Sequence, residues 1–244
     1  MLKPRDAELR DRLSHANLFV TGTINQQPND RADSPADLIP CFTGIHSDEH
    51  LEELLDLIAE RLYLGSIKQD EELKLYRSLT EAMLNVWQHA YGLEGVIQGG
   101  GRSLGRRWWL FGERIDNQLF LAIYDRGVGI PVTLPKKYGW ESIYSVMDSL
   151  GLKGNHDTNM IRAAIELGRT SRKSGRGGKG LRDVHRYVEE NPVGDLRIYS
   201  NRGEYRYRSS SGVSRSIVHK RSLIGTLIQW NIAVPQGRKV DEVN

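Results

Sequence analysis

The chain has 244 residues, is 39% hydrophobic and 27% charged, and carries a formal charge of +3. That length and apolar content support one large domain, or one domain with an extension, and exclude disorder throughout. One cysteine, Cys41, excludes an intrachain disulfide and a metal centre built from several thiolates, and no apolar run is long enough to cross a bilayer. The mild positive balance suits an anionic ligand without naming one. Lys3 to Arg12 is a mixed-charge run unlike a signal peptide, so a cytoplasmic protein without a membrane partner is expected.

Residues 1–46 are expected to be an extension. Ala16–Ile24 is a candidate strand, and Gln26–Asp37, with two prolines, reads as loop. Ser47 is a candidate cap for a helix whose stripe is Leu51, Leu54, Leu55, Ile58 and Leu62, with Gly65 as its stop. A second helix is predicted over Asp70–Tyr91, because Leu75, Leu79, Ala82, Val86 and Ala90 recur at helical spacing. Glu81, Asn85 and His89 form a parallel line one turn apart, beside that apolar face. A carboxylate there could accept a proton from water, and an amide oxygen is a hard ligand suited to Mg²⁺. The same spacing also fits an ordinary amphipathic helix with polar flanks.

Gln98–Arg102 breaks the chain. Strands are predicted at Arg107–Phe111 and Gln118–Tyr124, joined by a hairpin over Gly112–Asn117. The second strand ends in Asp125, Gly127 and Gly129, spaced D-x-G-x-G, where the backbone turns sharply, as it also does in many plain loops. Trp140–Leu150 and Asn159–Leu167 read as helices. Gly168–Gly175 is basic and rich in glycine and serine, the composition of a mobile lid or of a solvated surface loop. Gly177, Gly178, Lys179 and Gly180 then lead into a helix opening at Leu181. Glycine turn, lysine and helix start suit phosphate binding, although the spacing is neither that of a P-loop nor that of a dinucleotide fingerprint. Candidate strands follow at Asp195–Ser200, Glu204–Arg208 and Ile217–His219, with a tight turn at Asn201–Gly203. Gly225–Ile232 is the last strong strand, and residues after Pro235 read as a tail.

The order of these pieces resembles the GHKL ATPase superfamily, which includes the ATP-binding domains of gyrase, mismatch-repair proteins and histidine kinases. The resemblance covers roughly Asp48 to Val234, and the Glu81–Tyr91 segment is most similar to anti-sigma-factor serine kinases. It implies an α/β (α+β) two-layer sandwich of a mixed, mainly antiparallel sheet packed on helices, with domain limits 1–46, 47–235 and 236–244. It implies ATP and Mg²⁺ as cofactors. Glu81 then matches the carboxylate that activates water, Asn85 the Mg²⁺ ligand, and Asp125 the acceptor for the adenine amino group. Gly127 and Gly129 match the glycines beneath the base. Gly177, Gly178, Gly180 and Leu181 match the second glycine box, with Lys179 a cation among the phosphates. Thr226 matches the threonine on the adenine side, and His89 is a further nucleotide-binding candidate.

Two departures narrow the function. No histidine has the phosphoacceptor setting of a sensor kinase, and no transducer domain is expected after Val234. The expectation is a Mg²⁺-dependent ATP-binding protein with slow hydrolysis. Nucleotide-driven lid closure would regulate a protein partner from the same operon, in bacterial regulation or defence, with a homodimer as one state. An anti-sigma-type serine/threonine kinase is the alternative. A third reading is an ATP-regulated nucleic-acid-binding module, drawn from Arg102, Arg106, Arg107, Trp108, Trp109, Arg202, Tyr205, Arg206, Tyr207, Arg208, Arg215, Lys220 and Arg221. Alternating Tyr and Arg along a strand equally fits one buried and one exposed face.

Overall fold

The computed structural model describes residues 38–44, 50–62, 67–86, 90, 107–154, 156–170 and 180–234. Several expectations lie outside them: the strand at Ala16–Ile24, the loop at Gln26–Asp37, the Ser47 cap, the Gly65 stop, and the Gln98–Arg102 break. His89, Gly177, Gly178 and Lys179 also lie outside, as does the tail after Pro235.

Five strands form one sheet: β1 (Leu38–Gly44), β2 (Trp108–Ile115), β3 (Gln118–Asp125), β4 (Asp195–Arg208) and β5 (Val213–Ala233). Their order is β1-β2-β3-β5-β4. Every pairing between these strands is antiparallel, so the expected mixed sheet is not what forms among the described residues. The helices are α1 (Leu51–Leu57, continued by a wider turn over Ile58–Leu62), α2 (Gln69–Asn85), α3 (Ile130–Ser149), α4 (Asp157–Thr170) and α5 (Gly180–Glu189). Together they make a two-layer α+β sandwich.

The core lies between the helix layer and one sheet face. Leu75, Leu79, Ala82 and Met83 of α2 and Val184 and Val188 of α5 bury against Leu121, Ile123, Ile228 and Trp230 of the sheet. A smaller cluster joins Ile143 and Met147 of α3 to Met160 and Ala163 of α4. No helix among the described residues is long and apolar enough to cross a membrane.

The sheet begins earlier than the sequence suggested. β1 lies within the expected extension, yet Ile39 and Phe42 are fully buried. Pro40 falls where the register with β2 shifts, at the sheet edge, where a missing N–H is tolerated. The β2–β3 hairpin is tighter than predicted. Gly112 to Ile115 pair with Leu121 to Gln118, leaving a turn with Asp116 at φ 54°, a conformation Asp tolerates. The expected start of the lid, Gly168 to Thr170, belongs to α4.

β4 doubles back on itself at Asn201, whose φ is 51°. Ser209 N–H donates to the Gly194 carbonyl at 2.8 Å, and Arg208 reaches Asp195 at 2.9 Å. The tight turn expected at Asn201–Gly203 is therefore present, as the tip of a hairpin inside β4. β5 wraps that tip: residues 213–218 pair with 203–208, and residues 226–231 pair with 195–200. Gly225 sits at the bend with φ 92°, and a Cβ there would strike the Asp125 carbonyl oxygen and Arg126 Cα. Both the conformation and the space demand glycine. Gly225→Ala is expected to cost about 3 kcal/mol, lowering the melting temperature by roughly 10 °C in thermal denaturation. An unchanged melt would show that this bend is not held as described.

Candidate functional site

The site is built where β3 ends. Asp125 is 4% exposed and pairs with Thr226 across β3 and β5. Gly127 N–H donates to Asp125 Oδ1 at 2.7 Å, and the Thr226 backbone N–H donates to the same carboxylate. Burial pushes the Asp125 carboxyl up to about 7, against the lowering effect of those two donors. A charge that buried, met by backbone amides, is poised to accept a further hydrogen bond from a ligand.

The loop after Asp125 is clamped from two sides. Val128 N–H donates to the Ala90 carbonyl at 2.7 Å, which docks the chain beyond α2 onto the loop. A Cβ on Gly127 would fall on that Ala90 carbonyl. From the other side comes the β4 tip. Ile130 N–H donates to Ser200 Oγ at 2.8 Å, and Asn201 Nδ2 donates to the Val128 carbonyl at 3.3 Å. Ser200 thereby satisfies an N-terminal amide of α3, a helix with no capping side chain of its own. Gly129, at φ 86°, leaves room for Ser200 and Asn201, which a Cβ would strike.

These clamps surround a pocket that is partly open to solvent and has a cavity volume of about 70 Å³. Asp125, Thr226 and Gly129 line its floor, Asn85 at the end of α2 and Val86 just after it one wall, and Leu181 of α5 another. Asn85 Nδ2 donates to the Glu81 carbonyl at 2.8 Å, which leaves the acceptor oxygen as the ligand end of the amide. The pocket therefore unites Asn85, Asp125, Gly129, Leu181 and Thr226, drawn from separate stretches of sequence. Gly127 sits in the loop after Asp125, against Ala90, and Gly180 opens α5 beside Leu181. Glu81 stands one turn behind Asn85 and does not line the pocket.

The opposite wall was not read from the sequence. It comes from the first turns of α3: Ile130, Thr133, Leu134, Lys137 and Tyr138. Pro131 at the first helical turn signals that start, but Pro135 and the break at Gly139 (φ 73°) mask it. Lys137 is exposed by area at the pocket mouth, yet surrounding protein lowers its pKa, while Glu81 acts in the opposite sense. A favourable charge interaction thus links Glu81 to Lys137. Among the described residues no group of three or more His, Cys, Asp or Glu could hold a metal ion.

No protein-family model matches the chain, and no curated protein matches it.

The raised Asp125 pKa gives a sign to test. A carboxyl whose folded pKa exceeds its unfolded value contributes stability that is full below about pH 4 and lost as pH rises through about 7. An amide side chain at this position mimics the protonated acid. Asp125→Asn should therefore raise the stability of the ligand-free protein at pH 8 by on the order of 3–4 kcal/mol, and leave it unchanged near pH 4. Denaturation at the two pH values checks this, and a variant less stable than wild type at pH 8 would contradict it.

Proposed function

We propose that the chain is a Mg²⁺-dependent ATP-binding protein of GHKL type that hydrolyses ATP slowly and regulates a protein partner through its nucleotide state. The observation that carries this reading is the convergence of Asn85, Asp125, Gly129, Leu181 and Thr226 on one pocket. The sequence resemblance drew them from four separate stretches, those of Asn85, Asp125–Gly129, Leu181 and Thr226, and they line one pocket.

The chemistry of the pocket fits an adenine nucleotide. Ionised Asp125 would accept a hydrogen bond from the base's amino group. Thr226, whose hydroxyl lies 3.2 Å from Ser200 Oγ, would support the same edge. Ala82, Val86, Ile123 and Ile228 offer apolar walls for a flat ring. The N-terminus of α5 lies beside the pocket, which Leu181 lines, and its first amides and positive dipole end would suit phosphates. Asn85 would hold Mg²⁺ through its oxygen. Mg²⁺ would supply charge neutralisation on the phosphates. Glu81 would orient or deprotonate the attacking water.

Calorimetric titration with ATP, with and without Mg²⁺, tests this on wild type and Asp125→Asn, with product analysis in the same samples. Wild type should bind with Mg²⁺ and release ADP over time, and Asp125→Asn should lose binding by about a hundredfold. No binding in the wild type would overturn the reading. Glu81→Gln should bind ATP as wild type does and lose turnover at least tenfold. Unchanged turnover would remove Glu81 from the mechanism, and label passing from ATP to a second protein would replace hydrolysis with a kinase activity.

A further inference from the structure

The sheet has a second face, and no described helix packs on it. Register fixes what it displays. Trp109 pairs with Tyr124, Tyr124 with Leu227, and Leu227 with Tyr199, so these four side chains form one row across β2, β3, β5 and β4. All four are half-buried, and the Trp109 and Tyr124 rings stack at 5.8 Å. At about 4.8 Å between strands, the row is roughly 15 Å long.

The neighbouring row ends in arginines. Phe111 pairs with Ala122, Ala122 with Gln229, and Gln229 with Arg197. The hairpin inside β4 sets Arg197 opposite Arg206, a register fixed by the Gly194–Ser209 and Asp195–Arg208 contacts. Arg206 in turn pairs with Arg215. Three arginines thus occupy neighbouring register positions on adjacent strands, where like charges repel beyond what Glu204, bound to Arg206, offsets. With Arg208, Ser210 and Ser211 they line a groove of about 1000 Å³, counting open solvent. Glu204 binds Arg206, and Asp195 binds Arg208, yet those two arginine side chains stay 43% and 62% exposed. Two carboxylates against four arginines leave a net positive groove beside an aromatic row.

Of the aromatics singled out in the sequence, Trp109 alone belongs to this row. Trp108, Tyr205 and Tyr207 are buried on the helix side, so the Tyr/Arg alternation has one core face and one open face. The tyrosines of that motif carry no argument for a ligand. Trp109, Tyr124 and Tyr199 do, because they share the face with the arginines.

We propose that this open face binds a single-stranded nucleic acid, its bases on the Trp109–Tyr124–Tyr199 row and its phosphates on Arg197, Arg206 and Arg215. A flat aromatic row stacks unpaired bases of any identity, and arginines track the backbone. A duplex hides its bases and cannot use the row. The site is separate from the Asp125 pocket, which opens on the helix side.

The test uses the full chain and a fluorescein-labelled 15-nucleotide oligothymidylate, its oligouridylate counterpart, and a duplex of equal length. Fluorescence anisotropy is read from 50 to 300 mM salt. Wild type should bind both single strands at least tenfold tighter than the duplex. Arg197→Ala with Arg215→Ala should reduce the slope of log affinity against log salt by about 1.4, for two phosphates released. Tyr199→Ala should weaken binding roughly tenfold at an unchanged slope. Circular-dichroism melts establish that each variant is folded, and the arginine pair, being on the surface, keeps the test valid if Tyr199→Ala unfolds. No binding at 50 mM salt, equal duplex affinity, or an arginine variant with the wild-type slope would overturn the proposal. So would a dimer of the chain that the arginine variant dissolves without any oligonucleotide binding.

Discussion

A single carboxylate sets the terms for this fold. Asp125 is buried at the end of a central strand, and its charge is met by two backbone amides, those of Gly127 and Thr226. Burial of that kind is costly, and the surroundings are shaped to hold it. Gly127 must be glycine to admit the Ala90 carbonyl. Gly225 must be glycine to pass the Asp125 carbonyl. Both close approaches bring backbone amides to the acid, and both tie other elements to it. The chain after α2 is fixed through Ala90, and the bend of β5 through Gly225.

The β4 hairpin tip extends the same constraint. Ser200 and Asn201 reach the loop after Asp125, cap α3 and so place the pocket wall that α3 carries. One face of the hairpin thereby completes the pocket, through Ser200 and its contact with Thr226. The other face carries Arg197, Tyr199 and Arg206. The alternation of a β-strand therefore serves two surfaces with one segment. A change in how the tip sits against the Asp125 loop would reach both.

Much of this was legible in the sequence because the signals were local. The apolar stripe of α2 and the D-x-G-x-G at the end of β3 each depend on near neighbours alone. So do the Asn201 turn and the Tyr/Arg alternation of β4. What was missed depended on distant partners. The first turns of α3 contain Pro135 and end at Gly139, so local preference argues against a helix. They form because Ser200, seventy residues away, caps the start and Leu134 buries against α4. Lys137 and Tyr138 of the pocket wall were lost with them. β1 was hidden by Pro40, which is tolerated at an edge that only the sheet order defines. The open-face row of Trp109, Tyr124 and Tyr199 exists only through pairing register, which no single segment carries.

The central claim is that Asp125 reads the amino group of a nucleotide base. The most direct test is the affinity of wild type for ATP and for inosine triphosphate with Mg²⁺ at pH 8, measured by calorimetry. Inosine carries a carbonyl oxygen where adenine carries the amino donor, and a protonated N1 where adenine has an acceptor, while the ribose and triphosphate are shared. The account predicts ATP tighter by about a hundredfold or more, because the inosine carbonyl would leave the buried carboxylate facing an acceptor. Equal affinity for the two nucleotides would contradict it, and Asp125 would then be a structural charge and not the base-reading group.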